Sequence, residues 1–206
     1  MPKRKVKLNG VSMKPISLVA IVMAAASVFL VVPPGATQGP PDEHSKIQQG
    51  FAIMQKSGIP LNLKGKNPSL VGLGSYIVNA QADCNGCHGN PTWQENGDPF
   101  LGQPAVLALN GYLVGGAGLF GPIFTPRNLT PNAAGRPAGM TLAQFIHTMR
   151  TGEDRRATGA PPDSPLLQIM PWPVFKNMTD HDLTAVYEFL SSIPCLEGNR
   201  PGRCTP

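Results

Sequence analysis

Charged side chains are scarce in this chain: Asp, Glu, Lys and Arg make up only 14% of its 206 residues. A surface so poor in charge must be covered otherwise, and 23 Gly and 23 Pro assign much of it to loops rather than helices. No alternating strand pattern persists and no internal repeat is evident, which leaves helices and loops as the building material. The net charge of +5 is also misleading. It is carried by Lys3, Arg4, Lys5, Lys7 and Lys14, and beyond residue 36 acids and bases balance. A nucleic-acid partner therefore loses its main electrostatic support. The length suits one domain and is too short for two comfortable ones.

Those five basic residues precede an uncharged apolar run at residues 16–32. The pattern reads as an export segment, so residues 1–36 are expected to be an export signal or an N-terminal membrane anchor. The run is longer than a usual signal core, yet slightly short of the roughly 20 residues that span a bilayer. Ala36 offers a cleavage site that the nearby Pro34 disfavours. The expected location is periplasmic, either soluble or tethered to the inner membrane through residues 16–32.

Residues 37–68 are polar, with scattered Pro and Gly, and read as an N-terminal extension with one short helix near residues 45–54. A domain is expected over residues 69–194, followed by a turn-rich tail at 195–206. Ser69 is the expected N-cap of a helix running to about Ala82, with Leu70, Leu73, Tyr76 and Ile77 at helical spacing. Gly72 and Gly74 in that helix are either merely tolerated or there to permit a close crossing. Residues 89–140, dense in Gly, Pro and Asn, read as loop. Thr141 and Gln144 form a capping box for a second helix that Gly152 stops, with Leu142, Phe145, Ile146 and Met149 on its apolar face. Thr179 caps a last helix striped by Leu183, Val186, Tyr187 and Leu190 and ended by Pro194.

The chemistry concentrates in CNGCH at residues 84–88. In C-x-x-C-H the two thiols add to the vinyl groups of one haem c, and the adjacent imidazole ligates the iron. Cys84, Cys87 and His88 are thus the candidate attachment and ligand residues. Three other readings stand beside this one. A thioredoxin-like redox pair would need a preceding strand, and the segment before Cys84 reads as helix. A zinc site would have to recruit Cys195 and Cys204, whose spacing is far from that of a zinc knuckle. The third is a plain disulfide with an idle His88.

A low-spin haem iron needs a second axial ligand, usually Met or His. Met170 is the first choice, since it lies in the Pro-bounded loop IMPWP, where a thioether can be aimed without opposing a helical rotamer. Met149 reads as helix core, Met178 as a hydrophobic staple before Thr179, and Met140 as a weaker rival. His147 and His181 read as solvated helix residues and His44 as part of the extension. Trp172, Arg127 and Asn128 are candidates to shield or bond haem propionates. In an oxidising compartment Cys195 and Cys204 should form a disulfide, because Gly198, Pro201 and Gly202 help the ends meet.

The segments GSYIVNAQADCNGCH, GGAGLFGPIFTPRNLTP, the helix ending in MRTG, and IMPWPVFKNMTDHDLTAVYEFLSSIP resemble a monohaem c-type cytochrome domain. They are similar to the cytochrome subunits of membrane-associated bacterial alcohol, aldehyde and gluconate dehydrogenases. The resemblance covers about residues 70–194. It implies an all-α, class I cytochrome c-like domain whose first and last helices cross beside the haem, with His88 and Met170 as axial ligands. Asn128–Pro131 matches the family's Asn-Leu/Ile-Thr-Pro stretch, which an acidic residue usually follows, whereas this chain has Asn132. Many such subunits also carry three domains in one chain, where this one has one.

The resemblance implies an electron carrier rather than an enzyme. It would exchange electrons with donor and acceptor proteins, among them a membrane dehydrogenase complex. The competing expectation is a haem enzyme or sensor with an open distal site.

Overall fold

Asp42 opens the described chain by capping helix α1, Glu43–Ser57, its carboxylate accepting from the Ser45 N–H at 2.8 Å. That bond holds the Asp42 carboxyl below its ordinary value. The computed structural model describes residues 42–116, 125–154, 166–198 and 201–205, which lie within one compact unit from Gly39 to Pro206. Residues 43–57 were expected to be mostly polar extension with a short helix. They instead form four turns of helix that bury Met54 and Gly50 against the next helix. Ile47, Phe51 and Met54 pack on the core on either side of Gly50, and the polar residues between them concealed this face.

Helix α2, Pro68–Tyr76, is capped by Asn67 with Pro68 in its first turn, two residues before the cap expected at Ser69. Proline there is well placed, since its missing N–H would find no helical partner anyway. Glycines 72 and 74 have a structural role. A Cβ on Gly50 or Gly72 would strike the backbone of the opposite helix, and one on Gly74 would overlap the Ala185 carbonyl. Helix α6, Asp180–Leu190, therefore crosses α2 at backbone distance on one side while α1 does so on the other. Val71, Leu73, Leu183, Phe189 and Leu190 are at most 3% exposed in this layer. Burial of each stabilises the fold by about 1.5–3 kcal/mol.

Past Tyr76 the helix does not continue as α to Ala82 as expected. Residues Ile77–Gln81 form a π turn, closed by Ala82 N–H to Ile77 O at 2.8 Å. Asn79 in this turn donates to Ser75 O at 2.8 Å and accepts from the Tyr112 hydroxyl at 2.6 Å. A hydrogen-bonded side chain thus supports the wider turn, a feature frequent at functional sites.

Thr141 and Gln144 make the expected capping box of α4, Leu142–Thr151, and Gly152 stops it at a φ of 74°. Thr179 caps α6 as expected. A single turn, α5 at Trp172–Phe175, lies between them. The Phe145 and Tyr187 rings meet at 5.8 Å and 56°, joining α4 to α6. The described residues form isolated bridges but no strand, so the fold is all-α with long loops. No described helix is long and apolar enough to cross a membrane, and residues 16–32 lie outside the described residues.

Candidate functional site

The motif residues occupy their own short helix, α3, Cys84–His88. Asp83 stands before it in a left-handed conformation, φ 46°, and its carboxylate accepts from the Gly86 N–H at 3.2 Å. Gly86 sits so close to that carboxylate that a Cβ would collide with it. Asn85 is buried and its Oδ1 accepts from Leu113 N–H at 2.9 Å, fastening the motif to the following loop.

Cys84 is half-buried, Cys87 is exposed, and neither is bridged. Burial, with help from the Asp83 carboxylate and from Cys87, pushes the Cys84 thiol up to about 12. A thioredoxin-like centre needs a strand before the motif, and the residues ahead of Cys84 form α2 and the π turn instead. The zinc reading fails on different ground, because Cys195 and Cys204 are joined to each other as expected, with Cα atoms 5.7 Å apart.

His88 is oriented by a bond that sequence reading did not foresee, from its Nδ1 to the Arg127 carbonyl at 2.7 Å. A carbonyl can only accept, so Nδ1 carries the proton. Burial holds the imidazole below its ordinary pKa and hence neutral. The lone pair on Nε2 is then available to a metal, in the arrangement by which protein-bound metals fix their histidine ligands.

Cys84, Cys87 and His88 line a cleft of about 300 Å³, at the low end for ligand pockets. Its walls are mostly apolar, with Leu129, Met140, Phe145, Met149, Leu167 and Met170 among them. Met170 thus lines the same cleft as His88, brought there by the loop between Glu153 and α5. Met140 and Met149 line it as well, although both are buried core residues held within the α4 side of the wall. Met178 packs on the core and is not among the lining residues.

The other histidines are elsewhere. His147 pairs with Glu153 at 3.0 Å, His181 with Glu43 at 3.3 Å, and His44 bonds Gln48 at 2.9 Å. None lines the cleft.

Polar side chains line the cleft as well, among them Arg127, Asn128, Asp154, Gln168, Glu197 and Arg203. Arg127 pairs with the buried Asp154. Asn128 is committed to structure, bonding Leu196 O at 2.8 Å and accepting from both the N–H and the hydroxyl of Thr130. Trp172, expected as a shield, is not a lining residue. Its indole N–H bonds Leu167 O at 3.1 Å and its ring lies against Gly152. Asn132, where the family pattern has an acid, accepts from the N–H groups of Ala134 and Arg136 and so serves a turn. Glu197 and Arg203 were not anticipated. The one signal for Arg203 was its position beside Cys204.

A second, apolar cavity of about 250 Å³ lies among Ile59, Leu109, Tyr112 and Ile193, and its lining holds no histidine or cysteine. Among the described residues no three His, Cys, Asp or Glu side chains converge to hold a bare metal ion. The cleft instead offers two thiols at its edge, one oriented neutral imidazole, a thioether and apolar walls with cationic residues. That donor set fits a haem joined through two thioethers.

No protein-family model matches the chain, and neither a curated protein nor a solved structure shows significant similarity to it.

Proposed function

We propose that this chain is an exported, class I c-type cytochrome that carries one haem c and transfers electrons without substrate chemistry of its own. The observation that supports this most is His88. The imidazole inside the C-x-x-C-H motif has its Nδ1 held by Arg127 O and its Nε2 left unprotonated at an apolar cleft that Met170 also lines. Cys84 and Cys87 hold the group covalently, so the fold need not grip it tightly. His88 and Met170 would hold its iron, and the haem would supply one-electron ferrous/ferric chemistry when bound.

The chain's own residues tune and insulate that chemistry. The Arg127 carbonyl raises the electron density of the His88 ring and fixes its plane. Phe145, Leu129 and Leu167 keep water from the cleft and lower its dielectric constant, which favours the less charged ferrous state. A thioether favours ferrous iron further, placing the potential above that of a bis-His site. Such a protein passes electrons between redox partner proteins at the periplasmic face of the inner membrane, and a membrane dehydrogenase complex is the expected donor. Residues 16–32 would export it or tether it there.

Two measurements on protein matured in an exporting host test the reading. Intact mass should include one porphyrin, retained after denaturation. The reduced protein should bind carbon monoxide poorly. Haem that extracts into acidified organic solvent would refute covalent attachment, and avid carbon monoxide binding would favour a catalytic or sensing haem with an open distal site.

A further inference from the structure

The tail after Pro194 was expected to be turn-rich and pinned by the 195–204 disulfide. Its described residues are held by further bonds besides. Cys195 and Cys204 close a loop, and inside that loop the Glu197 carboxylate accepts from the N–H of Arg203 at 2.7 Å and of Cys204 at 3.2 Å. The Arg203 carbonyl accepts from Ala133 N–H at 3.0 Å, and its guanidinium bonds Thr130 O. The Thr130 hydroxyl accepts from Leu196 N–H, and the Asn128 amide donates to Leu196 O. Tails of this composition ordinarily fray. Here an arginine is locked through its N–H, its carbonyl, its neighbouring cysteine and its side chain, and it lines the cleft together with Arg127.

We infer that the Cys195–Cys204 loop is a working part of the cofactor site: it presents Arg203 at the cleft that Arg127 also lines, as a second cationic anchor for the carboxylates of the group attached at Cys84 and Cys87. The inference rests on the reading proposed above and adds a binding residue to it. A guanidinium matches a carboxylate in shape and charge. The two acids that line the cleft already have partners, Asp154 in Arg127 and Glu197 in the loop backbone. Anchoring through a pre-set arginine requires its backbone to be held, and the disulfide loop holds it.

A cation beside the cofactor opposes the extra positive charge of ferric iron, so its removal must lower the midpoint potential. The test is potentiometric titration of the haem-loaded protein and of Arg203→Gln, Arg203→Lys and Cys195→Ser/Cys204→Ser. Arg203→Gln and the double cysteine variant should both shift the potential downward, and Arg203→Lys should recover most of the shift. Arg203→Gln added to the double cysteine variant should give less than the sum of the two shifts, because both act through one residue. The inference is overturned if loaded Arg203→Gln keeps the wild-type potential, or if loss of the disulfide lowers melting temperature alone. Should the double cysteine variant fail to fold, the Arg203→Gln and Arg203→Lys pair decides alone. Wild-type protein without added porphyrin mass would overturn the proposed function and this inference together.

Discussion

The two cysteine pairs of this protein are secured by opposite means. Cys195 and Cys204 are joined to each other, and their bond organises a loop that has no regular helix. Cys84 and Cys87 are unjoined, and the short helix bearing them is positioned without any covalent link. Its supports are hydrogen bonds: the buried one from Leu113 N–H to Asn85, the partly buried ones from His88 to Arg127 O and from Tyr112 to the π turn just upstream, and an exposed one from Gly86 N–H to Asp83. A pair whose sulfurs must remain available for other chemistry needs its geometry supplied by neighbours. A pair whose sulfurs are used on each other can supply geometry to its neighbours.

The largest break in this comparison comes from the first pair. Cys84→Ser/Cys87→Ser should abolish covalent haem altogether, leaving intact mass at that of the polypeptide, while the Cys195–Cys204 bridge still resists alkylation. Retained porphyrin in that variant would remove the distinction between the pairs.

Next in size is the thioether. Met170→Ala should open a coordination position, let carbon monoxide bind the reduced protein, and lower the potential. Met140→Ala and Met149→Ala should leave the iron spectrum unchanged, because both side chains are core, and should cost about 2–5 kcal/mol in denaturant unfolding. Identical spectra for Met170→Ala and wild type would assign the second ligand elsewhere.

Breaking the second pair acts on stability. Loop closure over about ten residues predicts that Cys195→Ser/Cys204→Ser costs ~2.7 kcal/mol, read from the urea midpoint. Haem attachment should persist, since the tail contributes neither thiol of the motif.

The smallest effect sharpens the account of what holds the first pair. Burial keeps the Tyr112 hydroxyl protonated well above its ordinary range. The folded state therefore retains this proton while the unfolded chain releases it near pH 10, so stability is full below about pH 10 and falls as pH rises beyond it. Tyr112→Phe should cost on the order of 1 kcal/mol at neutral pH and flatten this alkaline decline in thermal melts. An equally steep decline in Tyr112→Phe would trace it to other groups.

Much of the helical framework was legible in the sequence. The caps at Thr141 and Thr179, the stop at Gly152 and the 195–204 bridge all depend on residues a few positions apart, and local backbone geometry alone satisfies them. The motif at 84–88 was legible for the same reason, since its five residues are consecutive. Helix α1 was underestimated because its stripe of Ile47, Phe51 and Met54 is interrupted by Gly50, which meets the α2 backbone, and is diluted by polar neighbours. The π turn was unreadable because its support, Tyr112, lies 33 residues from Asn79.

Local residue patterns therefore determined the caps of α4 and α6, the 195–204 bridge and the position of the motif at 84–88. Tertiary structure decided which groups surround that site. His88 finds Arg127 across 39 residues, and Arg203 finds Thr130 across 73. Contacts at that separation depend on how helices α1 and α6 cross α2 and where the intervening loops are then forced to run, and no local pattern of residues encodes such a path.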